Sequence, residues 1–235
     1  MTQDSPYGTA PVRVPAEGVT LAGDLGVPRG AAGVVLFAHG SGSGRHSPRN
    51  RYVAEALRNA GLATLLLDLL TADEERSEER TGHLRFDIRF LARRLIDATL
   101  WLTRTPETAH LRAGYFGAST GGGAALVAAA TLPEAVGAVV SRGGRPDLAG
   151  DALPYVQAPT LLIVGGEDAP VIDMNARARA AMRAPTRMIV IPGASHLFEE
   201  PGALEQVASL AAEWFIRHLE HAPQHELRMG RDARG

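Results

Sequence analysis

The chain has 235 residues, 45% of them hydrophobic and 21% charged, with a formal net charge of −2 at pH 7. That balance fits one globular domain with a sizeable core, gives nucleic acid no general electrostatic pull, and leaves no window apolar enough to span a membrane. There is no Cys, and all 24 basic residues are Arg, which excludes a thiol nucleophile, a disulfide, a Cys-type zinc site, a lysine Schiff base and a P-loop lysine.

Met1 to Pro11 carry no basic n-region and no apolar h-region, so the expected location is cytoplasmic. From Val12 to Val27 the apolar residues alternate around the turn Ala16-Glu17-Gly18, which reads as an opening hairpin of edge strands. Gly33 to Ala38 is a short, continuous apolar run ending at His39-Gly40, the pattern of a central parallel strand covered on both faces. Ser47-Pro48 then supplies an N-cap and an N1 proline for a helix that buries Val53, Ala56, Leu57 and Ala60 and stops at Gly61.

The alternation continues with a strand over Ala63 to Leu70, an acidic and arginine-rich loop over Ala72 to Gly82, and a long helix from about Arg85 to Thr103. Strands follow over Leu111 to Phe116, Val136 to Val140, Thr160 to Val164 and Arg187 to Ile191. Between and after them, helices are expected over Thr120 to Ala130, Asn175 to Arg183 and Ala203 to Leu219. This rhythm means βαβ units and an α/β fold with a mostly parallel central sheet and helices on both faces. Residues 1–221 form a single domain on this reading, and 222–235 are a polar, aperiodic tail. No inserted segment is long enough for a large lid, so an open site is expected.

Gly117-Ala118-Ser119-Thr120-Gly121 matches G-x-S-x-G directly after a strand and directly before a helix. The pentapeptide alone is weak in a chain with 26 glycines, but its strand-turn-helix setting is what a nucleophile elbow needs. A serine hydroxyl needs a base, and the base needs an orienting carboxylate. Thr160 to Val164 leads into Gly165-Gly166-Glu167-Asp168, and Arg187 to Ile191 leads into Pro192-Gly193-Ala194-Ser195-His196. Ser119, Asp168 and His196 are therefore the candidate nucleophile, acid and base, with Glu167 the neighbouring alternative to Asp168. His39 is expected to hold its loop, and His83, His110, His218, His221 and His225 to be solvated. A dinucleotide-binding reading of Gly40 to Gly44 fails because G-x-G-x-x-G would require glycine where Arg45 stands.

His39-Gly40-Ser41-Gly42, Gly117 to Gly121, Gly166 to Val171 and Gly193 to His196 together resemble the α/β-hydrolase superfamily, and within it the dienelactone-hydrolase-like branch, over roughly Val19 to Leu219. The resemblance implies a carboxylic-ester hydrolase of α/β-hydrolase fold, acting through an acyl-enzyme on a small-molecule ester, without metal or organic cofactor. It also implies an oxyanion hole from the amides of Ser41 and Thr120. One departure stands out: the branch uses cysteine at the elbow where this chain has Ser119, so dienelactone is not carried over as the substrate. Arg45, Arg49, Arg142 and Arg145 lie on loops expected at the same sheet edge and form a candidate site for an anionic substrate group. The competing readings are surface charges, or a salt bridge such as Arg145 with Asp147, and for the whole chain a ligand-binding or regulatory module with little turnover.

Overall fold

The computed structural model describes residues 8–220, so the tail at 222–235 and the histidines His221 and His225 lie outside the described residues. Among the described residues eight strands form one sheet in the order β1-β2-β4-β3-β5-β6-β7-β8. They are β1 (Ala10–Ala16), β2 (Val19–Gly26), β3 (Val34–Ala38), β4 (Ala63–Leu67), β5 (Ala113–Ala118), β6 (Val136–Arg142), β7 (Thr160–Gly165) and β8 (Thr186–Ile191). The opening hairpin β1-β2 joins β4 antiparallel, and every other pairing is parallel. β3 to β7 are buried along their whole length, as strands covered on both faces must be.

Among the described residues there are six α-helices: α1 (Pro48–Asn59), α2 (Ala72–Thr81), α3 (Ile88–Leu102), α4 (Thr120–Thr131), α5 (Ala169–Ala181) and α6 (Ala203–Leu219). One face packs α3 and α4 through Leu91, Leu95, Ala98, Ala124 and Ala128. The other packs α1 and α6 through Val53, Leu57, Val207, Trp214 and Phe215. Successive strand residues divide between the two cores, so Val139 joins the first and Ala138 and Val140 the second. Among the described residues no helix is long and apolar enough to cross a membrane.

Three local expectations change. The acidic segment after β4 is a helix, α2, not a loop. Thr71 caps it in a reciprocal capping box with Glu74, and Arg94, only 1% exposed, forks onto the Glu74 carboxylate at 2.6 and 2.7 Å. The helix is thus held by polar groups, which a search for an apolar stripe does not register. Helix α5 begins at Ala169, six residues before the expected Asn175, with a proline in its first turn. A 3-10 segment over Pro146–Tyr155, not expected from the sequence, follows β6.

Candidate active site

Strand β5 lies at the centre of the sheet, and the turn from it into α4 puts Ser119 at φ 50°, ψ −123°. A side-chain-bearing residue adopts this backbone only when its surroundings enforce it. Here they do: the Ser119 N–H donates to Arg142 O at 3.4 Å, while its carbonyl accepts from Gly122 N at 3.0 Å and Arg145 N at 2.9 Å. Gly121 lets α4 start against β3, since a Cβ there would sit 2.1 Å from Ala38 O. The serine therefore stands at the carboxyl edge, at the positive end of α4.

Asp168 lies on the turn between β7 and α5, and His196 lies on the loop after β8. His196 Nδ1 donates to Asp168 Oδ2 at 2.6 Å, and the carboxylate as partner fixes the tautomer that leaves Nε2 as an acceptor. The Asp168 side chain is 15% exposed and that of His196 40%, so the imidazole is reachable and its carboxylate partner shielded. Glu167 faces solvent. Gly143 measures how closely these loops converge. It follows Arg142, whose carbonyl accepts the Ser119 N–H, and a Cβ on it would meet His196 O at 3.0 Å and the imidazole Cε1 at 3.6 Å. Among the described residues no hydrogen bond joins Ser119 Oγ to His196 Nε2, a gap that apo sites commonly close on binding substrate.

The loop after β3 runs beside the elbow, and the Ser41 amide donates to Thr120 Oγ1 at 3.1 Å. The two residues expected to form an oxyanion hole are thus adjacent. His39 is 7% exposed; its Nδ1 donates to Gly40 O at 2.9 Å and its Nε2 accepts from Leu69 N at 2.9 Å. Burial pushes its pKa below the ordinary 6.5, against smaller opposing effects of the Gly40 carbonyl and of Asp68 and Glu75. It is a neutral strut for the loop. His83 and His110 are exposed, whereas His218, expected to be solvated, is half-buried against Trp214 with ring centroids 4.5 Å apart.

A cleft of about 640 Å³ extends from Ser41 and Thr120 to the α2 side, where Glu75 and Arg85 line it. Helix α2 supplies a wall here. His46, not singled out in the sequence, also lines this cleft, and its only signal was a place on the loop between β3 and α1.

The four arginines divide. Arg45 pairs with Asp68 and lies 3.6 Å from Asp24. Arg145 forks onto Asp147 at 2.9 and 2.7 Å. Arg49 Nη1 pairs with Glu199 at 2.8 Å. Arg142 has no acid partner among the described residues and is 7% exposed. Burial, then the nearby Arg49 charge, lower its pKa to about 10, so it stays charged at neutral pH.

The family model described as the dienelactone hydrolase family matches residues 21–222. A crystal structure of dienelactone hydrolase from Anabaena variabilis is 65% identical and superposes with a TM-score of 0.89, covering 91% of this chain and 99% of that one. At 15% identity, Est1E from Butyrivibrio proteoclasticus shares the fold with a TM-score of 0.74, over 88% of this chain and 98% of that one. Two curated proteins of Mycobacterium tuberculosis strains, each named putative phosphoribosyl transferase, are 61% identical over 216 residues. The match covers 92% of this chain and 48% of each of them, so the chain spans about half the length of these relatives.

Proposed function

The chain belongs to the dienelactone hydrolase family, and from that premise we propose that it is a serine hydrolase cleaving a carboxylic ester through an acyl-enzyme. The observation that carries the reading is the 2.6 Å His196–Asp168 bond on loops that converge on a positive-φ Ser119. Ser119 Oγ attacks the ester carbonyl while His196 Nε2 takes its proton, and Asp168 steadies the imidazolium that forms. The carbonyl oxygen becomes an oxyanion held by the Thr120 amide at the start of α4 and the Ser41 amide on the loop after β3, each such donor contributing about 3 kcal/mol to the transition state. For this the Ser41 N–H turns from the Thr120 hydroxyl, a neutral acceptor, to a charged one, an exchange that favours the transition state over the free enzyme. His196 then protonates the leaving alcohol, and a water activated by the same imidazole releases the acid.

The mycobacterial relatives' name concerns proteins of about twice this length, and brings phosphate-bearing esters into the substrate panel. The test is labelling by a fluorophosphonate probe together with hydrolysis of p-nitrophenyl acetate. Wild type should show both, and Ser119→Ala neither. Ser119→Ala labelled like wild type would refute the nucleophile assignment, and a wild type with neither signal would point to a ligand-binding module.

A further inference from the structure

Among the described residues, three that bear a Cβ have positive φ: Glu17 in the turn of the opening hairpin, Ser119 at 50°, and Phe198 at 56°. For a bulky aromatic this backbone is costly, and a fold keeps it only where the surrounding structure imposes it. Phe198 closes a turn, its N–H donating to Ser195 O at 3.3 Å, and the two residues inside that turn are His196 and Leu197. The left-handed step at its end sends successive side chains apart. Leu197 is 41% exposed, whereas Phe198 is 1% exposed, within the core that α1 and α6 share.

The two feet of this turn are held differently. The first is tied through backbone to the turn that carries Asp168, since Glu167 N–H donates to Ala194 O at 3.0 Å and a Cβ on Gly165 would lie 2.5 Å from Ser195 O. Beyond the second foot Glu199 pairs with Arg49 at 2.8 Å, but with the Glu199 side chain 62% exposed such a pair contributes little. The second foot therefore depends on the Phe198 ring. Its contact with Arg142, 5.9 Å from guanidinium to centroid, is at the outer limit of cation–π range, so apolar packing is what seats it. The seat also meets the imidazole. The point where a Cβ on Gly143 would stand is 3.2 Å from Phe198 Cε2, 3.0 Å from His196 O and 3.6 Å from His196 Cε1, and Gly143, at φ 51°, keeps it clear. The bond to Asp168 fixes the tautomer and one end of the imidazole, yet leaves the ring free to pivot about that bond. A second constraint has to come from the backbone that carries it. We propose that Phe198 is a positioning residue: seated against Gly143, it holds the turn so that His196 Nε2 points to where Ser119 Oγ meets the substrate carbonyl.

This inference rests on the hydrolase reading, and the experiment separates the two. Hydrolysis of p-nitrophenyl acetate is measured per site titrated with the fluorophosphonate probe, in wild type, Phe198→Ala and Phe198→Leu. Beside it, proton NMR follows the far-downfield signal of an imidazole Nδ1–H bonded to a carboxylate. Misplacing the imidazole by about 1 Å should lower kcat about 10- to 100-fold in Phe198→Ala with KM little changed, and should broaden or remove that signal. Phe198→Leu, which keeps an apolar anchor, should recover most of both. A ring that serves only the core would lower the urea midpoint and leave kcat per site and the signal as in wild type, and that result overturns the proposal. If Phe198→Ala does not fold, Phe198→Leu and Gly143→Ala decide, because a Cβ on Gly143 presses on the same seat from the other side. Wild-type kcat and signal in both overturn it. If wild type turns over no ester, the hydrolase reading fails and the proton signal alone decides: its loss in Phe198→Ala upholds the seat, and its persistence overturns it.

Discussion

Replacing Ser119 by glycine rather than alanine should separate backbone strain from chemistry. At φ 50° and ψ −123° any residue with a Cβ is held in a region that glycine occupies freely, and such positions store about 1–3 kcal/mol. Glycine gives back about 0.5–1 kcal/mol through the extra freedom of its unfolded chain. The net expectation is that Ser119→Gly is more stable than Ser119→Ala by about 1 kcal/mol, or roughly 2–4 °C in Tm for a chain of this length. Ser119→Ala should stay close to wild type in stability, because the alanine keeps the strain and the hydroxyl makes no hydrogen bond among the described residues. Both variants should be inactive toward p-nitrophenyl acetate. The assay is urea unfolding at pH 7.5 with matched slopes, so that midpoints compare directly. Equal or lower stability of Ser119→Gly would mean that the turn stores no strain, and the account of how it presents Ser119 would be wrong.

Gly121→Ala should cost about 1–3 kcal/mol or more and abolish probe labelling, since a Cβ 2.1 Å from Ala38 O pushes α4, and with it the Thr120 amide, away from β3. A stable, fully labelled variant would refute the close packing. Glu74→Ala should cost about 3 kcal/mol, the low end for a broken buried pair, because Arg94 keeps its bond to Leu69 O at 2.6 Å and its place over Phe90. Hydrogen exchange should show the loss concentrated in α2, and uniform loss would contradict the anchoring role. His39 is held neutral, with a folded pKa below the ordinary 6.5, so its contribution is fully present above pH 6.5 and is lost as pH falls toward the folded value. Urea unfolding from pH 7.5 to 5.5 should show this slope in wild type and lack that part of it in His39→Gln, and identical slopes would refute it.

What could be read from the residues alone depended on which interaction holds each element. β3, β5 and β7 are continuous apolar runs, and α3 and α6 carry apolar stripes, so hydrophobic periodicity located them. The places of Ser119, Asp168 and His196 were legible because each follows the end of a strand, and these strand ends are marked by glycine. Helix α2 was not, since its order comes from a capping box and from Arg94, thirteen residues beyond its end, although Thr71 and Glu74 did carry the box in plain view.

The arginines show a subtler limit. Arg145 and Asp147 are two residues apart, and that pair could be foreseen, whereas Arg45 meets Asp68 across 23 residues and Arg49 meets Glu199 across 150. Arg142 differs again. Ending β6 at Val140 leaves Arg142 on a loop, free to be one more surface charge. Extending the strand by the two residues it has in the fold puts Arg142 in step with Ala138 and Val140, hence pointing inward. A boundary displacement of two residues, ordinary for any reading of strand ends, thus decides whether this charge is solvated or buried. The consequence is greatest at this edge of the sheet, because the last residue of β6 there both accepts the Ser119 N–H through its carbonyl and aims a cation into the core beside it.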